Sequence, residues 1–69
     1  MADASLRNRL KERRTELGLT QAELAARVSV SRKTINTVEN GVFVPSTILA
    51  LRLAAALGRK VEELFELAE

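Results

Sequence analysis

The segment from Thr20 to Gly41, TQAELAARVSVSRKTINTVENG, constrains this chain more than any other. It reads as two short helices joined by a tight turn. Thr20 and Glu23 have the spacing of a capping box: the hydroxyl accepts from the residue-23 amide, and the carboxylate reaches back. Leu24 and Val28 form an i, i+4 apolar pair that gives the first helix one buried face. Ala25 lies beside them, and a small residue there lets a second helix cross closely. Ser29 to Ser31 makes the turn, with Ser31 as N-cap of the next helix. In that second helix Ile35, Val38 and Glu39 fall on one stripe. Lys33, Asn36, Thr37 and Asn40 fall on another, with Arg32 at its start. Gly41 supplies the stop. A polar helix face is most often only a solvated face. One this rich in hydrogen-bonding groups also suits a helix lying in a DNA groove.

The remaining residues extend the helical pattern in both directions. A first helix is expected from about Ser5 to Leu17, burying Leu6, Leu10, Arg14 and Leu17 and stopping at Gly18. The two central helices run from about Gln21 to Val28 and from about Arg32 to Asn40. A fourth starts near Ser46, because Pro45 biases Val44 away from helical geometry. It ends at Leu57, before Gly58. A fifth covers about Val61 to Leu67. The expectation is an all-α chain with one domain over residues 1–69, residues 1–4 being flexible. Sixty-nine residues lie near the lower limit for a self-supporting core. No cysteine is present to staple it.

Charge is distributed unevenly. Residues 1–60 carry all 11 Lys and Arg against five acids, a net of +6, while residues 61–69 carry four Glu, a net of −4. The basic part contains the proposed groove helix, which favours a polyanionic partner approached with the C-terminal end pointing away. Catalysis finds little to work with. The chain has no His, Cys, Tyr or Trp, and its one Asp is Asp3. The sequence positions no carboxylate pair for acid–base work, and it holds no metal-ligand cluster or Gly-rich phosphate loop. No enzyme activity, cofactor or metal is expected. No segment is long or apolar enough to span a membrane, and MADASLRNRL lacks the apolar core of a signal peptide. The expected location is the cytoplasm.

The ordered matches LTQAELA, VSR, TI, VENG and PS, at Leu19–Ala25, Val30–Arg32, Thr34–Ile35, Val38–Gly41 and Pro45–Ser46, resemble the helix-turn-helix of the phage-repressor (Cro and CI) and Xre family of transcriptional regulators. The resemblance covers about Leu6 to Phe65. It implies a compact five-helix, lambda-repressor-like DNA-binding domain with the helix-turn-helix at residues 20–41. It also implies that Arg32, Lys33 and Thr37 read bases, with Asn36 reading a base or contacting backbone. Arg can bond two acceptors of guanine, and a threonine methyl can touch thymine. Gln21 and Thr34 match phosphate contacts, and the amide of Asn40 or Gly41 faces the sugar-phosphate backbone. Arg14 and Glu39, two charges on core stripes, match an ion pair that ties the first helix to the recognition helix.

Two positions depart from the family pattern. Ser29 stands where glycine is common, at a turn that often needs positive φ. Val42 stands where relatives often place a phosphate-binding lysine. The apolar run Val42, Phe43 and Val44, together with a second apolar stripe on the fourth helix that includes Ile48 and Leu51, has more to bury than one small core accepts. Two expectations stand for the loop: that it tucks under the helices, or that it joins the second stripe, Phe65 and Leu67 in the interface of a symmetric homodimer. The expected function is repression, by a dimer that occludes a near-palindromic operator on double-stranded DNA. The competing expectation is an antitoxin or other interaction module that holds a toxin or another protein and binds DNA only secondarily.

Overall fold

Hydroxyl side chains define where three helices begin. In the computed structural model, which describes residues 6–68, Thr20 Oγ1 accepts from the Glu23 amide at 3.0 Å and Glu23 Oε1 accepts from the Thr20 amide at 2.8 Å. This reciprocal pair opens α2 (Gln21–Arg27). Ser31 Oγ accepts from the Thr34 amide and opens α3 (Arg32–Glu39). Ser46 Oγ accepts from the Leu49 amide and opens α4 (Thr47–Leu57), which Gly58 closes with φ 65°. The left-handed angle favours glycine there. Two shorter helices complete the set: α1 (Leu10–Glu16) and α5 (Val61–Leu64).

The helices bury one shared core. Leu10, Leu24, Val28, Ile35, Val38, Leu53, Leu57 and Leu64 are almost completely removed from solvent. Burying such a side chain contributes about 1.5–3 kcal/mol, so these few residues supply much of the driving force in so short a chain. In α4, Leu49, Leu53 and Leu57, spaced four residues apart, are all buried. Ala25 is buried as well, where α2 crosses α3. Arg13 adds a polar tie, its Nε donating to the carbonyl of Leu57 at 2.8 Å, where the C-terminus of α4 attracts a cation.

The two ends of the chain depart from the expected helices. Leu6–Asn8 is a strand, β1, not the first turns of α1, and Phe65–Leu67 is a strand, β2, not the last turn of α5. The two pair antiparallel, with Leu6 opposite Leu67 and Asn8 opposite Phe65. Leu6 therefore packs at the margin of the core from a strand. Leu17, expected in the core, sits at the C-cap of α1 and is exposed. Phe65, expected at a dimer interface, is buried within the protomer's own core. The expected flexibility of residues 1–4 lies outside the described residues.

Val42, Phe43 and Val44 do not tuck beneath the helices. They are exposed, Val42 by 78 %, along with Ile48, Leu51 and Leu67. The amides of Val42 and Phe43 both donate to the Thr37 carbonyl, so the loop hangs from the C-terminal end of α3.

Candidate nucleic-acid interface

The candidate interface is the outer face of α3. Ile35 and Val38 anchor the helix in the core. Arg32, Lys33 and Asn36 are exposed on the side facing away from it, and Thr37 is half-buried between the two faces. Among the described residues neither Arg32 nor Lys33 forms an ion pair, so both cations remain available to an anionic ligand. The cap at Ser31 places them in the first turn of α3, the part of a recognition helix that reaches base edges.

Thr37 and Thr34 are more constrained than a solvated face would leave them. The Thr37 hydroxyl donates to the Thr34 carbonyl at 2.9 Å, which commits its proton and leaves the methyl and the oxygen's acceptor capacity for other contacts. Thr34 Oγ1 shares a 2.9 Å hydrogen bond with Ser31 Oγ. At the C-terminal end, the Asn40 amide donates to the Asn36 carbonyl and the Gly41 amide to the Val38 carbonyl. Both backbone N–H groups thus close α3. Either amide would have to share its hydrogen to meet a sugar-phosphate backbone as expected, whereas Asn40 Nδ2 keeps one hydrogen beyond its bond to Asn36.

Behind this face runs a polar network. Arg14 Nε donates to Glu39 Oε2 at 2.7 Å and Arg14 Nη2 to Glu39 Oε1 at 3.2 Å, a two-point pairing that joins α1 to α3. The side chains are 12 % and 3 % exposed. The third donor group of Arg14 reaches the Leu19 carbonyl at 2.8 Å. The hydrogen bond to Glu39, aided by Coulomb attraction, holds the guanidinium above its ordinary value, with burial opposing. Gln21, at the start of α2, donates through Nε2 to Glu39 Oε1 at 3.1 Å and to Asn36 Oδ1 at 3.2 Å. Asn40 Nδ2 donates to the same Asn36 oxygen at 3.2 Å. Among the described residues every buried side-chain nitrogen and oxygen has a partner. A network satisfied in this way rigidifies the helix it serves.

One residue that holds the site had no role in the sequence reading. Asn8, in β1, donates from Nδ2 to the Val38 carbonyl at 2.9 Å, and its Oδ1 accepts from the Leu10 amide at 3.3 Å. It ties the N-terminal strand to α3 and covers the start of α1. An asparagine is a poor choice for a helix interior because its side chain competes for backbone groups. Its presence inside the expected first helix was the available signal.

Comparison with known proteins bears on the helical region as a whole. The model of the helix-turn-helix family HTH_3 matches residues 10–64. An HTH-type transcriptional regulator of Methanothermobacter thermautotrophicus is 54% identical over 65 residues, covering 93% of this chain and 94% of its own. The HTH-type transcriptional regulator YgzD of Bacillus subtilis is 39% identical over 64 residues, covering 93% and 97%. Among solved structures, the restriction-modification controller protein C.AhdI from Aeromonas hydrophila superposes with a TM-score of 0.75 at 38% identity, over 80% of this chain and 83% of that one. A protein from Bacteroides fragilis superposes with a TM-score of 0.79 over 88% and 98%, and at 24% identity it speaks to the fold alone.

Proposed function

From the premise that this chain belongs to the helix-turn-helix family of Xre and Cro/CI regulators, a family of DNA-binding proteins rather than enzymes, we propose that it is a sequence-specific repressor acting as a homodimer on a near-palindromic operator. The observation that carries the reading is the outer face of α3: two cations without partners among the described residues and an exposed amide, on a helix whose opposite face is locked into the core. Arg32 and Lys33 read acceptors on base edges, and the Thr37 methyl packs against thymine. Thr34 and the side chain of Asn40 flank them on the phosphate backbone, which sets register without carrying sequence information. Binding over a promoter excludes the polymerase, and no chemistry is needed. Among the described residues no helix is long and apolar enough to cross a membrane, and the proposed place of action is the cytoplasm.

Selection of bound duplexes from a random pool tests this reading. The expected result is an enriched motif with two-fold symmetry. Recovery of an unenriched pool would set the reading aside.

A second reading draws support from the exposed Val42, Phe43 and Val44. In it the chain is an antitoxin-like module whose apolar loop holds a different protein, a toxin among the candidates, and DNA binding is secondary. A 1:1 complex with another protein, in place of self-association, would favour it.

A further inference from the structure

The order of charges and amides running from α1 to α3 decides which way the Asn36 side chain faces. Arg14 is always a cation, and it donates to both carboxylate oxygens of Glu39. Glu39 held in this way presents both oxygens as acceptors. Gln21 must therefore turn its NH2 toward Glu39 Oε1, and the second hydrogen of that same nitrogen goes to Asn36. A hydrogen arriving there requires an acceptor, so Asn36 presents Oδ1 inward. Asn40 Nδ2 donates to the same oxygen. Both lone pairs of Asn36 Oδ1 are then filled. Its Nδ2 is left with two hydrogens, on an exposed residue, and meets no acceptor among the described residues.

We propose that this relay makes Asn36 a donor-only contact, whose Nδ2 bonds a hydrogen-bond acceptor on DNA, while Gln21, which the family resemblance matched to a phosphate contact, acts instead as a positioning residue whose side-chain NH2 is committed to Glu39 and Asn36. The inference rests on the DNA-binding reading above and narrows it. An asparagine recognises adenine with two bonds, donating to N7 and accepting from N6. Asn36 has no acceptor to offer, so that two-bond contact is closed to it. What remains is a guanine N7 or O6, a thymine O4, an adenine N7 taken singly, or a phosphate oxygen. The pairing of Glu39 behind the helix thereby limits Asn36 to acceptors on the duplex, whether on a base edge or on a phosphate.

The side-chain amide signals of the full chain in a 1H–15N spectrum test the relay during titration with a duplex recovered from a random pool. The Asn36 NH2 pair should shift on binding, and the Gln21 pair should stay in place. A shifting Gln21 pair with a stationary Asn36 pair would overturn the proposal. Stationary backbone amides throughout α3 would remove the DNA-binding reading itself, and the inference with it. Duplexes with single phosphates neutralised as methylphosphonates separate the two sources of acceptor. Loss of the Asn36 shift at one position identifies a phosphate, and its retention at every position identifies a base edge. Asn36→Ala should weaken binding roughly three- to tenfold, as loss of one hydrogen bond does, in a chain that still melts cooperatively well above the binding temperature. Undiminished affinity in that variant would also overturn it.

Discussion

Ser29 is the one described residue other than glycine held at positive φ, at 61°, in the turn between α2 and α3. A side chain in this region crowds the following carbonyl. Ser29→Gly should raise stability by about 1 kcal/mol in chemical denaturation, since glycine adopts the angle freely. An unchanged or lower midpoint would contradict the strain. Glu23 makes a second prediction at this scale. The Thr20 amide, and then the Thr20 hydroxyl, hold its carboxyl below the ordinary glutamate value. A group lowered on folding stabilises the protein above its unfolded value, and that contribution is lost as pH falls through the folded one. The difference in melting temperature between the parent and Glu23→Gln should therefore be present near about pH 7 and shrink toward about pH 3. A difference that is constant across this range would reject the assignment.

At the scale of elements, a buried ion pair adds to the shared core and the Asn8 bond in coupling the helix-turn-helix to the rest of the fold. Removing a single partner leaves an uncompensated charge, so Glu39→Ala should cost on the order of 3–5 kcal/mol, far above an alanine replacement at exposed Glu62. Equal melts for the two variants would contradict that coupling. The helices α2, α3 and α4 were legible in the sequence almost to the residue, because their signals are local: a hydroxyl or capping box at the start, a 3.6-residue apolar period, and glycine after α3 and α4. The ends of the chain were not. Leu6 and Leu10 are four apart, which fits a helix face, yet Leu6 pairs with Leu67 at the far end of the chain. Pairing of strands so distant in sequence leaves no local trace. The same nonlocality took Phe65 into the core. Within the candidate site, the meeting of Arg14 with Glu39 was anticipated from two charges on core stripes. The link from Glu39 through Gln21 to Asn36 depends on how α2 crosses α3, and no periodicity encodes it.

At the scale of the whole molecule, a single protomer leaves apolar side chains open to solvent. Phe43, Val44, Ile48, Leu51 and Leu67 are exposed together, and Leu51 borders a shallow apolar groove shared with Leu6, Pro45 and Val61. Sedimentation at micromolar concentration should give twice the monomer mass, and Leu51→Glu should shift the chain toward monomer without unfolding it. A parent that stays monomeric, with and without DNA, would remove the homodimer. Two copies would present their α3 helices to successive major grooves, about 34 Å apart. The central claim can be tested most directly by repeating the selection of bound duplexes with Arg32→Ala. The account predicts a motif with the same spacing as the parent's, its preference relaxed by about 1–3 kcal/mol at one base position in each half. A motif identical to the parent's would contradict the placement of α3 in the groove.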